Sequence, residues 1–111
     1  MNNEDGATYL SRAAARGWDA DNDVGGWAHM LFDLDRDKAG LWKAEPGERR
    51  AAVAVEIPAR ETILVLEGSV HVTIDGGEPI ELRVGDMLSI PPRSLVGWHP
   101  SPDCLVFWAY S

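Results

Sequence analysis

Downstream of Gly68 the chain alternates apolar and polar residues with a period of two. Val70, Val72 and Ile74 are separated by His71 and Thr73, and Ile80, Leu82 and Val84 by Glu81 and Arg83. Successive side chains of a strand point to opposite faces, so the pattern predicts two strands, each with one buried and one wetted face. Between them, Asp75-Gly76-Gly77 tolerates positive φ and predicts a tight turn, hence an antiparallel hairpin. Residues 63–66 and 105–108 are unbroken apolar runs instead. Strands covered on both faces look like this, which predicts a central place for both.

Gly25-Gly26, Pro46-Gly47, Gly68, Gly85-Asp86, Pro91-Pro92 and Pro100-Ser101-Pro102 punctuate the rest of the chain. The segments left between them suit strands better than helices. About nine strands with frequent turns predict an all-β sandwich or barrel, closed so that few edges stay open. Residues 1–24 read as an N-terminal arm and residues 25–111 as one domain. Within the arm, residues 9–16 followed by Gly17 predict a short helical stretch ended by a C-cap glycine.

With 111 residues, the chain has the size of one domain. Eighteen acidic against ten basic side chains give a formal net charge of -8, which repels phosphate backbones and anionic lipid surfaces. Neither nucleic acid nor membrane is therefore expected as a partner. No run approaches the length of an apolar membrane span, and the start carries acids where a secretory leader carries basic residues. The lone Cys104 has no internal disulfide partner, which fits a cytoplasmic setting. Asp33, Asp35 and Asp37 alternate as in a calcium loop. Lys38 and Ala44 stand where an EF-hand needs Gly and Glu, so this reads as a solvated acidic turn.

Residues 61–98, ETILVLEGSVHVTIDGGEPIELRVGDMLSIPPRSLVGW, resemble the cupin family. Its two signatures run GX5HXHX3-4EX6G and GX5PXXHX3N. Glu61 stands seven before Gly68, Gly85 stands six before Pro91, and sixteen residues separate the two glycines. The resemblance implies an antiparallel jelly-roll β-barrel of the RmlC-like kind. It also implies where a divalent metal would sit, on three His and one Glu. Here the first two His positions fall on Ala54 and Glu56, or on Val55 and Ile57 with the shorter spacing, and the third on Ser94. Trp98 takes the place of the Asn. Of the four ligands only Glu61 remains, so no metal is expected on the usual set. Gly97-Trp98, GLWKAEPG at 40–47 and VLEG at 65–68 are similar to the cupin domain of ureidoglycine aminohydrolases.

Glu61 adjoins an apolar run, so its carboxylate either reaches a water-filled pocket or is paired with an arginine such as Arg49 or Arg83. The pocket reading is preferred, with Glu61 as the candidate catalytic residue, a general acid or base. Glu56, Ser94 and His99 are the other candidate polar contacts of a ligand pocket, and Trp42 and Trp98 its walls. Trp108 is assigned to the core, and His71, between Val70 and Val72, to the outer face.

Three functions remain open. The first is a cupin that binds a small organic ligand in its barrel without a metal. The second is a metal-dependent cupin enzyme in which Glu56, Glu61 and His99 hold manganese, iron or zinc. The third is an accessory barrel filled by its own side chains. A homodimer is expected, because Trp18, Trp27, Met30 and Phe32 offer apolar surface that a second copy covers.

Overall fold

A computed structural model describes residues 6–44 and 54–111. Among these residues there are ten strands and no helix, hence no helix long and apolar enough to cross a membrane. The strands are β1 (Asp19–Ala20), β2 (Trp27–Leu34), β3 (Asp37–Lys43), β4 (Val55–Glu56), β5 (Glu61–Glu67), β6 (Ser69–Ile74), β7 (Ile80–Arg83), β8 (Met87–Ile90), β9 (Leu95–Pro100) and β10 (Leu105–Tyr110). They form two antiparallel sheets, one in the order β1-β2-β3-β10-β5-β8 and one in the order β4-β9-β6-β7. The core joins Trp42, Ile63, Val65, Ile90 and Val106 of the first sheet to Val70, Val72, Leu82 and Val96 of the second. Two sheets facing each other across such a layer make the jelly-roll sandwich that the turn spacing predicts.

The hairpin forms as read. Asp75 and Gly76 have φ of 51° and 73°, and the Gly77 amide donates to the Ile74 carbonyl at 2.9 Å. Positive φ at both central residues matches the right-handed twist of the flanking strands. Val70 pairs with Leu82 and Val72 with Ile80. Val70, Val72 and Leu82 are buried, while His71 faces outward with its Nε2 3.4 Å from Glu81 Oε2. Ile80 and Val84 depart from the expected inward face, being 38% and 63% exposed. β7 is the edge of its sheet and runs from Ile80 to Arg83, so Ile80 stands at its first position and Val84 beyond its last. Alternation tells which face a residue takes, not how far the facing sheet extends.

β10 lies between β3 and β5, and β5 between β10 and β8, the central placement expected of the apolar runs. Only one face of β5 is fully buried: Ile63 and Val65 are covered, whereas Thr62, Leu64 and Leu66 are half-buried.

The arm differs from expectation. Ala14 N–H donates to Ser11 O at 3.0 Å, but this turn does not propagate into a helix. The carbonyl of Ala14, which the amide four residues on would use in a helix, accepts instead from the Trp18 indole at 2.8 Å. Nor is the arm detached. β1 pairs with β2, and Arg12 bridges to Glu67 at 2.7 Å. Trp18 meets the His29 ring edge-on at 5.3 Å and carries the Lys43 ammonium 4.2 Å above it, so this part of the expected partner surface is covered within the chain. Asp33, Asp35 and Asp37 are exposed around the β2–β3 turn, with Asp33 paired to Lys38 at 3.2 Å.

Candidate ligand pocket

Period two does more than build the core; at one end of the sandwich it points polar atoms into it. Glu61, Ile63 and Val65 share one face of β5, so the alternation that buries Ile63 also turns Glu61 inward. Its cross-strand neighbours are Tyr110 of β10 and Ile90 of β8. Trp108 and Tyr110 share the inner face of β10, and Trp98 faces them from β9 of the other sheet. A cavity of about 150 Å³ remains here, lined also by Trp42, Val55, Ile57, Ile63 and Val106.

Its rim comes from the turn after β1. Asp21, Asp23 and Val24 line the cavity. Asp21 Oδ1 accepts from the amides of Asp23 at 3.0 Å and Val24 at 3.2 Å, an Asx turn that fixes the loop. The Gly25 carbonyl then accepts from Trp42 Nε1 at 2.8 Å, which locks this indole beneath the turn.

Glu61 is 7% exposed, and among the described residues its carboxylate accepts no hydrogen bond and forms no ion pair. Burial, and then the charge of Asp21, push its pKa up to about 7. Burial, followed by Glu61, Asp21 and Asp23, pushes the Tyr110 phenol up to about 12. At neutral pH, Glu61 therefore divides between acid and carboxylate, while Tyr110 keeps its O–H as a donor. Among the described residues, three carboxyl groups and no Lys, Arg or His line the cavity.

Residues 32–101 match the family model of the EutQ-like cupin domain. The chain belongs to that family. Solved structures agree at the level of fold. A cupin-like protein from Thermotoga maritima superposes with a TM-score of 0.71 at 20% identity, covering 91% of this chain and 81% of that one. A putative ethanolamine utilization protein Q from Salmonella typhimurium gives 0.69 at 19% identity, over 84% and 76% of the two chains. KdgF from Halomonas sp. gives 0.67 at 22% identity, over 86% of each. No curated protein matches the chain.

Within this EutQ-like cupin domain the cavity gathers Glu61, Trp42 and Trp98 of the predicted site, and adds Trp108, which the sequence assigned to the core. The other three candidates lie elsewhere. Glu56 pairs with Leu95 on the exposed outer face of the second sheet, because its neighbours Val55 and Ile57 take the inner one. His99 follows the inward Trp98 and is likewise exposed, opposite His71. Ser94 is buried, but its hydroxyl donates to Pro91 O at 2.8 Å and it does not line the cavity. Of the two arginines that a paired Glu61 could use, Arg83 bonds Glu81 at 2.9 Å, and Arg49 lies outside the described residues.

The same alternation decides between the two registers of the cupin signature. The inward positions are Val55 and Ile57, both hydrocarbon. Glu56, Glu61 and His99 do not converge on one ion, since two face outward and one inward. Among the described residues no group of three or more His, Cys, Asp or Glu could hold a metal. Neither the usual donor set nor the nonstandard one fits a metal here.

Sequence reading missed Asp21, Asp23 and Tyr110. The stretch DNDVGG carries a turn signal, Asp followed shortly by Gly-Gly, but nothing in it indicates that the turn folds over β5 and β10.

Proposed function

We propose that this EutQ-like cupin domain binds a small organic molecule in the cavity between its sheets, with Glu61 as the central polar contact and Trp42, Trp98 and Trp108 as walls. The observation that carries the reading is Glu61 itself, a buried carboxyl facing a cavity with no protein partner among the described residues. A buried carboxylate without a partner destabilises a fold, and such groups concentrate at functional sites. A cavity of about 150 Å³ admits a molecule of roughly benzene size in other proteins. It also counts against an accessory barrel filled by its own side chains.

A second reading is favoured by the pKa of Glu61, about 7: the bound molecule exchanges a proton with this group, and the domain is an enzyme. The finer likeness to ureidoglycine aminohydrolases points the same way, toward hydrolytic chemistry, but without the donor set for their metal.

Fragments of about six heavy atoms, the size such a cavity admits, are expected to shift the methyl signals of Ile57, Ile63 and Val106 and the indole signals of Trp42 and Trp98. Val106→Phe, which fills the space, should abolish those shifts. Binding that moves only signals outside the cavity, or that survives Val106→Phe, would overturn the proposal.

A further inference from the structure

We infer that the cavity selects a small organic monocation, an alkylammonium or quaternary ammonium group, held by the carboxylates of Glu61, Asp21 and Asp23 against the aromatic rings of Trp98 and Trp108. The inference rests on the reading of the cavity as a ligand pocket and adds the charge class of the ligand.

Four features of the lining converge on it. First, Glu61 is 7% exposed and has no counter-charge among the described residues, so an occupant that supplies a positive charge completes what the fold leaves open. Second, Asp21 and Asp23 add two further carboxylates at the rim, and among the described residues no Lys, Arg or His lines the cavity to offset them. An anion entering here is repelled at close range and at low dielectric, where charges act most strongly. Third, three tryptophans and a tyrosine form the walls, and aromatic faces attract cations, most of all when water is excluded. Fourth, Val24, Ile57, Ile63 and Val106 complete the lining with hydrocarbon. A bare metal ion would lose its hydration shell there without enough donors to replace it. An organic cation carries its own apolar surface and covers theirs. A neutral molecule of the same shape would gain the hydrocarbon contacts and leave Glu61 unpaired.

Calorimetry on the full chain in mildly alkaline buffer tests this with three molecules of nearly one shape: choline, its uncharged carbon isostere neohexyl alcohol, and the anion pivalate. Choline should bind at least about tenfold more tightly than neohexyl alcohol, a difference typical of one good charge contact, and pivalate should give no heat. Glu61→Gln should weaken choline by about tenfold or more while leaving neohexyl alcohol within about twofold. Asp23→Asn, at an exposed rim position that does not threaten the fold, should weaken choline by about threefold. Val106→Phe should remove choline binding and so exclude loose association with a chain of net charge -8. Neohexyl alcohol or pivalate binding as tightly as choline, in a manner lost in Val106→Phe, overturns the cation and leaves the pocket standing. Silence of all three molecules, or choline binding that Val106→Phe preserves, overturns both.

Discussion

The pKa of Glu61 makes a statement about stability as well as chemistry. Its carboxyl titrates near 7 in the folded chain against 4.5 when fully exposed to water. Between those values the folded state holds a proton that the unfolded state has released, so stability falls as pH rises through this window and levels off above it. The full difference corresponds to about 3 kcal/mol, from roughly 1.4 kcal/mol per pKa unit. Glu61→Gln cannot ionise and retains the shape. It should therefore match the parent below about pH 4.5 and exceed it by up to about 3 kcal/mol above neutrality, with most of the pH slope gone. Urea melts across this range would show it, and a variant that is less stable than the parent at mildly alkaline pH would place Glu61 in an ion pair after all. The sequence locates this residue through its distance from Gly68 and its apolar neighbours. It does not locate Asp21, the charge that helps raise its pKa, because contact between a turn at residue 21 and a strand at residue 61 leaves no periodic trace.

Strands and turns were easier to read than their surroundings, and two glycines show why. Gly68 and Gly85 both stand out in the sequence as turn positions, and both have positive φ, 67° and 91°. A side chain at Gly85 would meet nothing within 4 Å, whereas at Gly68 a Cβ would lie 2.5 Å from Ser101 Oγ, 2.7 Å from Asp103 Oδ1 and 3.0 Å from Cys104 Cα. That Ser101 hydroxyl already accepts from the Ser69 amide at 3.0 Å and donates to Asp103 at 2.7 Å, stapling the β5–β6 turn to the β9–β10 turn. Gly85→Ala should then lose only the left-handed preference, about 1–2 kcal/mol. Gly68→Ala adds a clash with a backbone atom and a hydrogen-bonded pair, for a total of about 3 kcal/mol or more. Equal shifts in the urea midpoint for the two variants would contradict this. Periodicity and glycine spacing report local backbone geometry, and so the hairpin, β5 and β10 were all foreseen. Of the helix expected within residues 9–16 only a Ser11–Ala14 turn forms, and the Ala14 carbonyl is taken by the indole of Trp18, four residues on. Glu56 stands at a signature position and His99 beside Trp98, which takes one, but neither spacing nor adjacency reveals which of two neighbours faces inward.

Cys104 reports on the whole molecule. It precedes β10 at the end opposite Tyr110, is 1% exposed, and packs in the core between the two sheets. Its amide donates to Ser101 O and its carbonyl accepts from Ala44 N, both at 3.0 Å, so the strands on either side must part before a reagent reaches the sulfur. Burial and then Asp103 push its thiol up to about 11 from 9.0, which lowers the reactive thiolate of the folded chain about a hundredfold further. Labelling by a thiol reagent in mildly alkaline buffer should thus proceed through global opening and be slowed at least about a thousandfold relative to the urea-unfolded chain. If one cooperative core joins both sheets, a change at the cavity end must reach Cys104 through the unfolding equilibrium alone. Glu61→Gln should then slow labelling above neutrality by up to about two orders of magnitude, the factor set by its gain in stability, and leave it unchanged under acidic conditions where Glu61 of the parent is protonated in the folded and the unfolded chain alike. Labelling rates that do not follow Glu61→Gln, while urea melts do, would mean that the Cys104 end opens independently of the cavity.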